Sequence, residues 1–238
     1  MSMLWRPVSV VIEWRGGIVV KECVEKIQRE MVTWKQEELK KTLCGETVLE
    51  ISLSWPELNS KALRGVNRYY CRMKDAWKRQ WEREVYLSAC VELAEKRGQS
   101  RPFTPWKVSL RGRVTLEDEA LLSIVMEARE VHGNGQPLIC MWGDTWGIKD
   151  GMPVELKELF PKKRGWKKQL AGEVTAELER CGERGICLDE VVPGIWKKYL
   201  SPRRFAVAKD KILLYIPQCS IAPTSEGVIE LEVPRPDA

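Results

Sequence analysis

The most prominent candidate for chemistry is a run of basic residues interleaved with aromatic ones between positions 64 and 83. Arg64, Arg68 and Arg72 recur every fourth residue, and further basic residues follow them. The aromatic residues of the run are Tyr69, Tyr70, Trp77 and Trp81. Such a pattern can bind nucleic acid, because basic side chains contact phosphates and rings stack on bases. The nucleic-acid candidates are Arg64, Arg68, Arg72, Lys78 and Arg79.

The same run also fits an amphipathic helix whose rings face the core and whose basic residues are solvated. The spacing of the rings matches a stripe of apolar residues that begins at Leu63. Asp75, Glu82 and Glu84 dilute the positive charge. We therefore favour a packed helix over a nucleic-acid partner.

A second candidate is the loop His132–Pro137, which contains two glycines and precedes a strand that carries Trp142 and Trp146. Residues four apart on a strand share a face, so the two rings together with the loop could form a contact surface. The binding candidates are His132, Asn134, Gln136, Trp142 and Trp146. The alternative is that both rings cap the core under a helix at Gly165–Cys181.

Acidic residues and nucleophiles give weaker signals. Leu116–Ala120 holds three carboxylates, which can perform acid–base chemistry or bind a divalent ion, but adjacent acids in a turn are usually solvated. His132 has no serine or cysteine in a nucleophile elbow to serve, and the cysteines and the single histidine lack zinc-ligand spacing. We assign no catalytic residue, metal or cofactor, and we do not expect an enzyme.

Composition places the chain among globular proteins, with 238 residues, 44% hydrophobic residues, 31% charged residues and a net charge of +5. Eight cysteines in apolar surroundings indicate reduced, buried thiols, with Cys181 and Cys187 the first suspects for a disulfide. No run is long enough to cross a bilayer, and the first residues lack the features of a signal peptide. We expect a cytoplasmic protein.

Periodicity predicts an α+β fold, an antiparallel sheet with one long and one shorter helix packed on one face. Helices are predicted at Lys21–Lys41, from about Ser60 to Gly98, and at Gly165–Cys181, with short helical pieces near 154–160 and 195–200. Strands are predicted at 8–14, at 47–55 with a stop at Pro56, at 106–116, 120–131 and 138–146, and at 204–208, 211–216 and 228–234. Residues 1–46 form an N-terminal extension, and 47–131 and 132–238 form two segments of one compact unit.

Three stretches resemble a known pair of bacterial domains. "VLEISLSWPELN" followed by "NRYY" resembles the opening of domain of unknown function 4163, and "WGIKDGMPVELKELF" resembles a turn motif of domain of unknown function 3298. The closing stretch "FAVAKDKILLYIPQCSIAPTSEGVIELEVP" resembles the final strand pair and elbow of the second domain. Matching residues are Val154, Leu156, Leu159, Phe160, Ile221, Ala222, Pro223 and Gly227. Cys219 stands where that family usually has an aromatic residue.

The resemblance implies Gram-positive relatives, some linked to sporulation, and no catalytic residue. Similar domains form the extracellular part of a membrane anti-sigma factor that binds lysozyme, or accompany a peptidoglycan deacetylase. This chain lacks the family's Gly-Gly-Ala-His loop, for which Gly133–Gln136 stands, so the lysozyme role is not transferred. The leading hypothesis is a non-catalytic binding or sensory domain that recognises a protein or a cell-wall fragment. A nucleic-acid-binding protein and an enzyme with an unrecognised carboxylate site are the alternatives.

Overall fold

The computed structural model describes residues 8–14, 17–23, 31–161, 164–186, 196–199 and 204–236, and the chain divides into two units, Met1–Met31 and Val32–Ala238. In the first unit, β1 (Val8–Trp14) pairs antiparallel with β2 (Gly17–Cys23). The strand predicted at 8–14 is confirmed. The helix predicted from Lys21 is wrong where the structure describes it, because Lys21–Cys23 belong to β2.

The second unit begins with a hairpin of β3 (Val32–Leu43) and β4 (Glu46–Leu58). Cys44 and Gly45 form its turn with φ values of +51° and +82°. The predicted helix Lys21–Lys41 is therefore also wrong over β3, because pairing with β4 satisfies the backbone that a helix would otherwise satisfy. β4 continues past Pro56, since its other neighbour pairs only with Leu49–Leu53 and leaves an edge where a residue without an N–H is tolerated.

A five-stranded sheet has the order β3-β4-β5-β6-β7. Its remaining strands are β5 (Trp106–Glu117), β6 (Leu121–Val131) and β7 (Leu138–Gly147). The hairpin predicted for β5 and β6 and the third strand are confirmed. The sheet is mixed rather than antiparallel, because β4 and β5 run parallel. A long helical segment connects these two strands and returns the chain to the end of the sheet where β4 began.

That helical segment comprises α1 (Arg64–Gln80), a π-helical turn (Trp81–Val85) and α2 (Tyr86–Gly98). The predicted long helix is confirmed, and its apolar stripe is buried at Leu63, Val66, Tyr70, Trp81 and Val85. The stripe then continues through Ala89 and Leu93, whereas Val91 is 58% exposed. The π turn explains this, because its additional residue rotates the helix surface that follows.

A three-stranded sheet of order β10-β9-β8 lies on the side of the five-stranded sheet that faces away from α1. Its strands are β8 (Phe205–Val207), β9 (Lys211–Ile216) and β10 (Ile229–Pro234). Helix α3 (Trp166–Glu183) covers its outer face, and the short α4 (Trp196–Tyr199) precedes β8. The α+β class is confirmed, but α1 and α3 lie in different layers instead of side by side on one face.

The joint between the two sheets is tight and polar. A Cβ at Gly143 would lie 2.3 Å from the backbone nitrogen of Ala206, so only glycine fits there. Ser123 Oγ accepts a 2.7 Å hydrogen bond from the backbone N–H of Val207, and Thr145 Oγ1 donates to the carbonyl of Phe205 at 3.1 Å. These hydroxyls substitute for strand pairing and fix β8 across β6 and β7.

Across the described ranges, no helix is both long and apolar enough to cross a membrane. Six described cysteines are free, but Cys44, Cys71, Cys140 and Cys219 are exposed, so the predicted burial is wrong for them. Cys181 is buried as expected, whereas Cys187 lies outside the described residues.

Candidate functional site

A buried carboxylate lies between α1 and β7. Asp144 is 7% exposed and accepts hydrogen bonds from Tyr69 Oη, which is 3.2 Å from each carboxylate oxygen, and from Trp142 Nε1, which is 3.2 Å from Oδ2. Burial raises its pKa to about 6, although these two donors and the charge of Arg204 oppose the shift. A carboxylate with a perturbed pKa marks a candidate functional site.

Aromatic side chains enclose this carboxylate. Trp77 of α1 stacks on Trp142 with ring centroids 6.2 Å apart and planes 16° apart. Trp146 Nε1 donates a 3.1 Å hydrogen bond to Tyr70 Oη, and Tyr69 meets Trp146 edge to face at 5.2 Å. Trp81 packs on Trp77 with ring centroids 5.4 Å apart. We call these six rings the aromatic cluster; they are Tyr69, Tyr70, Trp77, Trp81, Trp142 and Trp146. Each edge-to-face or stacked pair adds about 0.5–1.5 kcal/mol beyond its buried area.

The cluster raises the pKa of its own hydroxyls. Burial and the neighbouring Asp144 raise the pKa of Tyr69 and of Tyr70 well above the usual value, so both phenols stay protonated and can donate or accept hydrogen bonds. Trp81, which is fully buried, donates to Glu130 Oε1 at 2.7 Å. The polar atoms of this interior therefore have partners in the protein, as buried polar groups require.

Two surface depressions flank the cluster on the side of α1 that faces β7. The first, of about 410 Å³, is lined by Gly65, Arg68, Tyr69, Arg72 and Met73, and we call it the arginine depression. The second, of about 390 Å³, has Trp77 and Gln80 on the helix side and Leu138, Cys140 and residues 217–219 on the opposite side. We call it the apolar depression, because Leu138 is 49% exposed beside the half-buried ring of Trp77.

Gln218 holds the apolar depression in shape. Its side-chain oxygen accepts a 2.8 Å hydrogen bond from the backbone N–H of Ile139, and its amide nitrogen donates to the carbonyls of Pro137 and Thr224 at 3.0 and 2.9 Å. The elbow that follows turns at Gly227, whose φ is +69°, and buries Ile221 and Ala222 at 3% exposure each. One side chain therefore ties the loop before β7 to the elbow before β10.

The structure separates the predicted binding residues. Trp142 and Trp146 are 6% and 8% exposed, so the surface that they were expected to form is buried, and it lies under α1 instead of under α3. His132 stacks on Trp106 with centroids 3.8 Å apart, and Asn134 and Gln136 are exposed in the loop. A role in binding for these five residues stays a prediction.

The predicted nucleic-acid residues also divide. Arg64, Arg68, Arg72 and Arg79 are exposed, whereas Lys78 forms a 2.5 Å ion pair with Glu37 of β3. That pair lowers the pKa of Glu37 and raises the pKa of Lys78. Tyr69 is half-buried and Trp81 fully buried, so the rings are mostly core, as the favoured interpretation expected.

Sequence reasoning missed Asp144. An acid between two tryptophans in "WGDTW" on a strand was a usable signal, because the strand's alternation places Trp142, Asp144 and Trp146 on one face. The acids at Glu117–Glu119 are exposed, and Asp118 accepts hydrogen bonds from the backbone N–H groups of Ala120 and Leu121 at 2.7 Å. In the described part of the chain no group of three or more acidic, cysteine or histidine side chains could hold a metal ion.

Comparison with solved structures finds the same overall fold elsewhere. A DUF3298 family protein (domain of unknown function 3298) from Pseudomonas aeruginosa is similar with a TM-score of 0.54 and 14% identity, over 86% of this chain and 89% of that one. A member of the same family from Bacteroides fragilis aligns with a TM-score of 0.48 and 14% identity, over 85% and 90% of the two chains. No family model and no curated protein sequence matches. At this identity the Pseudomonas structure is evidence for the fold alone.

Proposed function

We propose that this chain is a non-catalytic binding domain that recognises a protein or a cell-wall fragment at the apolar depression. The observation that carries the proposal is the pairing of an exposed Leu138 with the half-buried ring of Trp77 across an opening of about 390 Å³. Aromatic and aliphatic anchors in a preformed pocket supply most of the binding energy in protein interfaces. Gln218 preforms the pocket and so lowers the ordering cost of binding.

The position of the depression suits recognition. It lies beside β7, the edge strand of the five-stranded sheet, and next to the loop that carries Asn134 and Gln136. Loops on a rigid scaffold carry recognition more often than the scaffold does. We therefore assign Asn134 and Gln136 to the rim of the site, where exposed polar side chains contribute specificity.

The non-catalytic part of the proposal rests on Asp144. Its carboxylate is enclosed by Tyr69 and Trp142 and lines neither depression, so a ligand in either depression does not reach it. A general acid or base must come within hydrogen-bond distance of the reacting group. Asp144 instead organises the rings that form the walls.

Nucleic-acid binding is the second candidate, favoured by the exposed Arg68 and Arg72 next to Tyr69. Two observations weigh against it. Trp77 is stacked on Trp142, which occupies one face of its ring, and Lys78 is neutralised by Glu37. A stacking platform needs free ring faces beside free cations.

We further propose that the chain belongs to the domain of unknown function 3298 family, with an opening like that of domain of unknown function 4163. Support comes from the fold shared with the Pseudomonas protein and from the elbow Ile221–Gly227 in its expected place before the last strand. The lysozyme role of relatives is not carried over, since Gly133–Gln136 replaces the family's loop.

Binding can be tested with the immobilised full chain and two pools, a lysate of the source cells and a digest of cell wall. We expect Leu138→Asp to reduce capture of a specific partner at least tenfold, because a charge in the depression opposes burial of an apolar group. Met152→Asp is the matched control, since Met152 is 61% exposed and lines neither depression. Equal capture by both variants would contradict the proposal.

A further inference from the structure

The arginine depression carries charges that the protein itself does not neutralise. Arg68 and Arg72 lie one helical turn apart, are exposed, and form no ion pair with any carboxylate of the described residues. Like charges one turn apart repel. The site therefore has an unmet preference for an anion.

The opposite flank of the same helix differs. Lys74 lies 2.7 Å from Asp75 and 3.7 Å from Glu37, and Lys78 also pairs with Glu37. Lys74 and Lys78 are thus matched by acids, whereas Arg68 and Arg72 are not. Arg64, Arg79 and Arg83 are also exposed and form no ion pair with a carboxylate of the described residues, but they line neither depression. The unmatched arginines that line a depression are therefore Arg68 and Arg72.

The floor of the arginine depression defines what fits there. Tyr69 Oη already donates to Asp144, so the hydroxyl is engaged and the two guanidinium groups must recognise the ligand. A guanidinium pairs with a carboxylate through two parallel hydrogen bonds. The ring of Tyr69 and the thioether of Met73 can contact the methylene groups that carry an acidic side chain.

The two depressions follow one another along α1. The last residue of the arginine depression is Met73, and the apolar depression begins at Trp77, four residues later, so the two side chains are neighbours on one flank of the helix. One extended segment that runs along this flank therefore passes both depressions.

We propose that Arg68 and Arg72 bind the carboxylate of an acidic residue in a protein segment whose apolar residue fills the apolar depression. This inference rests on the proposed function and names the chemistry of the partner. A polypeptide fits better than a nucleic acid because the neighbouring depression is lined by Leu138, Trp77 and Pro217. These walls attract aliphatic groups, and the carboxylate of Glu130 in the same lining repels a second phosphate.

The test measures fluorescence anisotropy with the full chain and labelled peptides built from repeats of Glu-Ser-Leu-Ser, Gln-Ser-Leu-Ser or Glu-Ser-Ser-Ser, and with a twenty-residue oligothymidylate. We expect the first peptide to bind at least tenfold more tightly than the other two. Arg68→Gln combined with Arg72→Gln should abolish the preference for glutamate and leave affinity for the glutamine peptide unchanged. The matched control is Arg101→Gln with Lys168→Gln, two exposed residues outside both depressions, and it should behave as the unmodified chain does.

Three results would overturn the inference. The glutamate and glutamine peptides could bind alike, no peptide could bind, or the oligonucleotide could bind more tightly than any peptide and depend on Arg68 and Arg72. If the two leucine peptides bind alike and only Leu138→Asp weakens them, the proposed function stands and the carboxylate site does not. If Leu138→Asp has no effect on a glutamate preference that Arg68 and Arg72 confer, the carboxylate site stands without the apolar one.

Discussion

Two interiors of the protein, one under each long helix, differ in chemistry. The interior under α3 is almost entirely aliphatic, with Leu170, Val174 and Leu178 packed on Leu214 and Leu231 of the three-stranded sheet. The interior under α1 contains the aromatic cluster and the carboxylates of Asp144 and Glu130. The first depends mainly on shape and burial, with Glu177 of α3 as a buried, ion-paired exception, whereas the second depends on directional hydrogen bonds.

The aliphatic interior mainly stabilises the fold, whereas the aromatic interior also specifies which side chains lie next to one another. Aliphatic contacts are non-directional, so many combinations of similar volume fill the same space. A buried carboxylate or indole N–H has few acceptable partners, so each cluster residue constrains its neighbours. The depressions lie along the second interior, where α1 is fixed in position and rotation relative to β7.

The largest effect is expected in the aliphatic interior. Leu214→Ala should lower the free energy of unfolding by about 2–5 kcal/mol, because Leu214 is fully buried and the cavity cannot refill. Leu214→Met, which conserves volume, should cost less than about 1.5 kcal/mol. Urea denaturation measures both, and equal losses would show that this interior is more specific than its composition indicates.

Gly143→Ala tests the joint between the two sheets. Its Cβ would meet the backbone of Phe205 and Ala206 at 2.3–2.4 Å, so β8 must move away from β7. Overpacking of this kind costs about 1–3 kcal/mol. Gly172→Ala on α3 is the control, since nothing lies within 4 Å of its Cβ and alanine favours a helix.

Tyr70→Phe should lower the free energy of unfolding by about 1–3 kcal/mol, because Trp146 Nε1 then loses its acceptor in a buried site. Tyr215→Phe is the matched variant in the space between the sheets. The hydroxyl of Tyr215 is buried and has no hydrogen-bond partner among the described residues, so its removal should not destabilise the protein. Equal losses in the two variants would show that the hydrogen bond between Trp146 and Tyr70 contributes no more than an unpaired buried hydroxyl does.

Asp144→Asn should have the smallest effect and should raise the free energy of unfolding by about 1 kcal/mol at pH 7.5. The pKa of Asp144 is raised from 3.8 to about 6 by burial, so the folded protein holds a proton that the unfolded chain releases. Its contribution to stability is therefore largest below about pH 4 and is lost as pH rises to about 6. The full shift in pKa corresponds to about 3 kcal/mol of stability. The asparagine amide has one acceptor oxygen where the carboxylate has two, so a donor such as Trp142 Nε1 loses its acceptor, and this loss offsets much of the gain.

Thermal and urea unfolding between pH 4 and pH 8 measure this effect. The unmodified protein should lose stability relative to Asp144→Asn across pH 4 to 6, and the difference should be constant above about pH 7. Parallel profiles over the whole range would show that Asp144 titrates normally.

Sequence periodicity predicted the elements that bury one face by themselves. The stripe from Leu63 to Trp81 and the alternation in β6 and β9 each report a single element, so the residues involved are close in sequence. It failed over β3, because the spacing of Val24, Ile27, Met31 and Trp34 in the sequence predicted a helix that continued to Lys41. The hairpin with β4 decided that conformation, and its pairing is not visible within β3 itself.

The sequence by itself determined the α+β class, the long helix, the strand pairs β5–β6 and β8–β9, and the basic character of the α1 surface. Only the tertiary structure decided that β4 and β5 are parallel, that α1 and α3 lie in separate layers, and that Asp144 is enclosed by rings from two elements. The physical reason is the separation along the sequence over which each effect acts. Helical and strand periodicity act over a few residues, whereas burial, pKa and the pairing of charges depend on residues such as Tyr69 and Asp144, which are 75 positions apart.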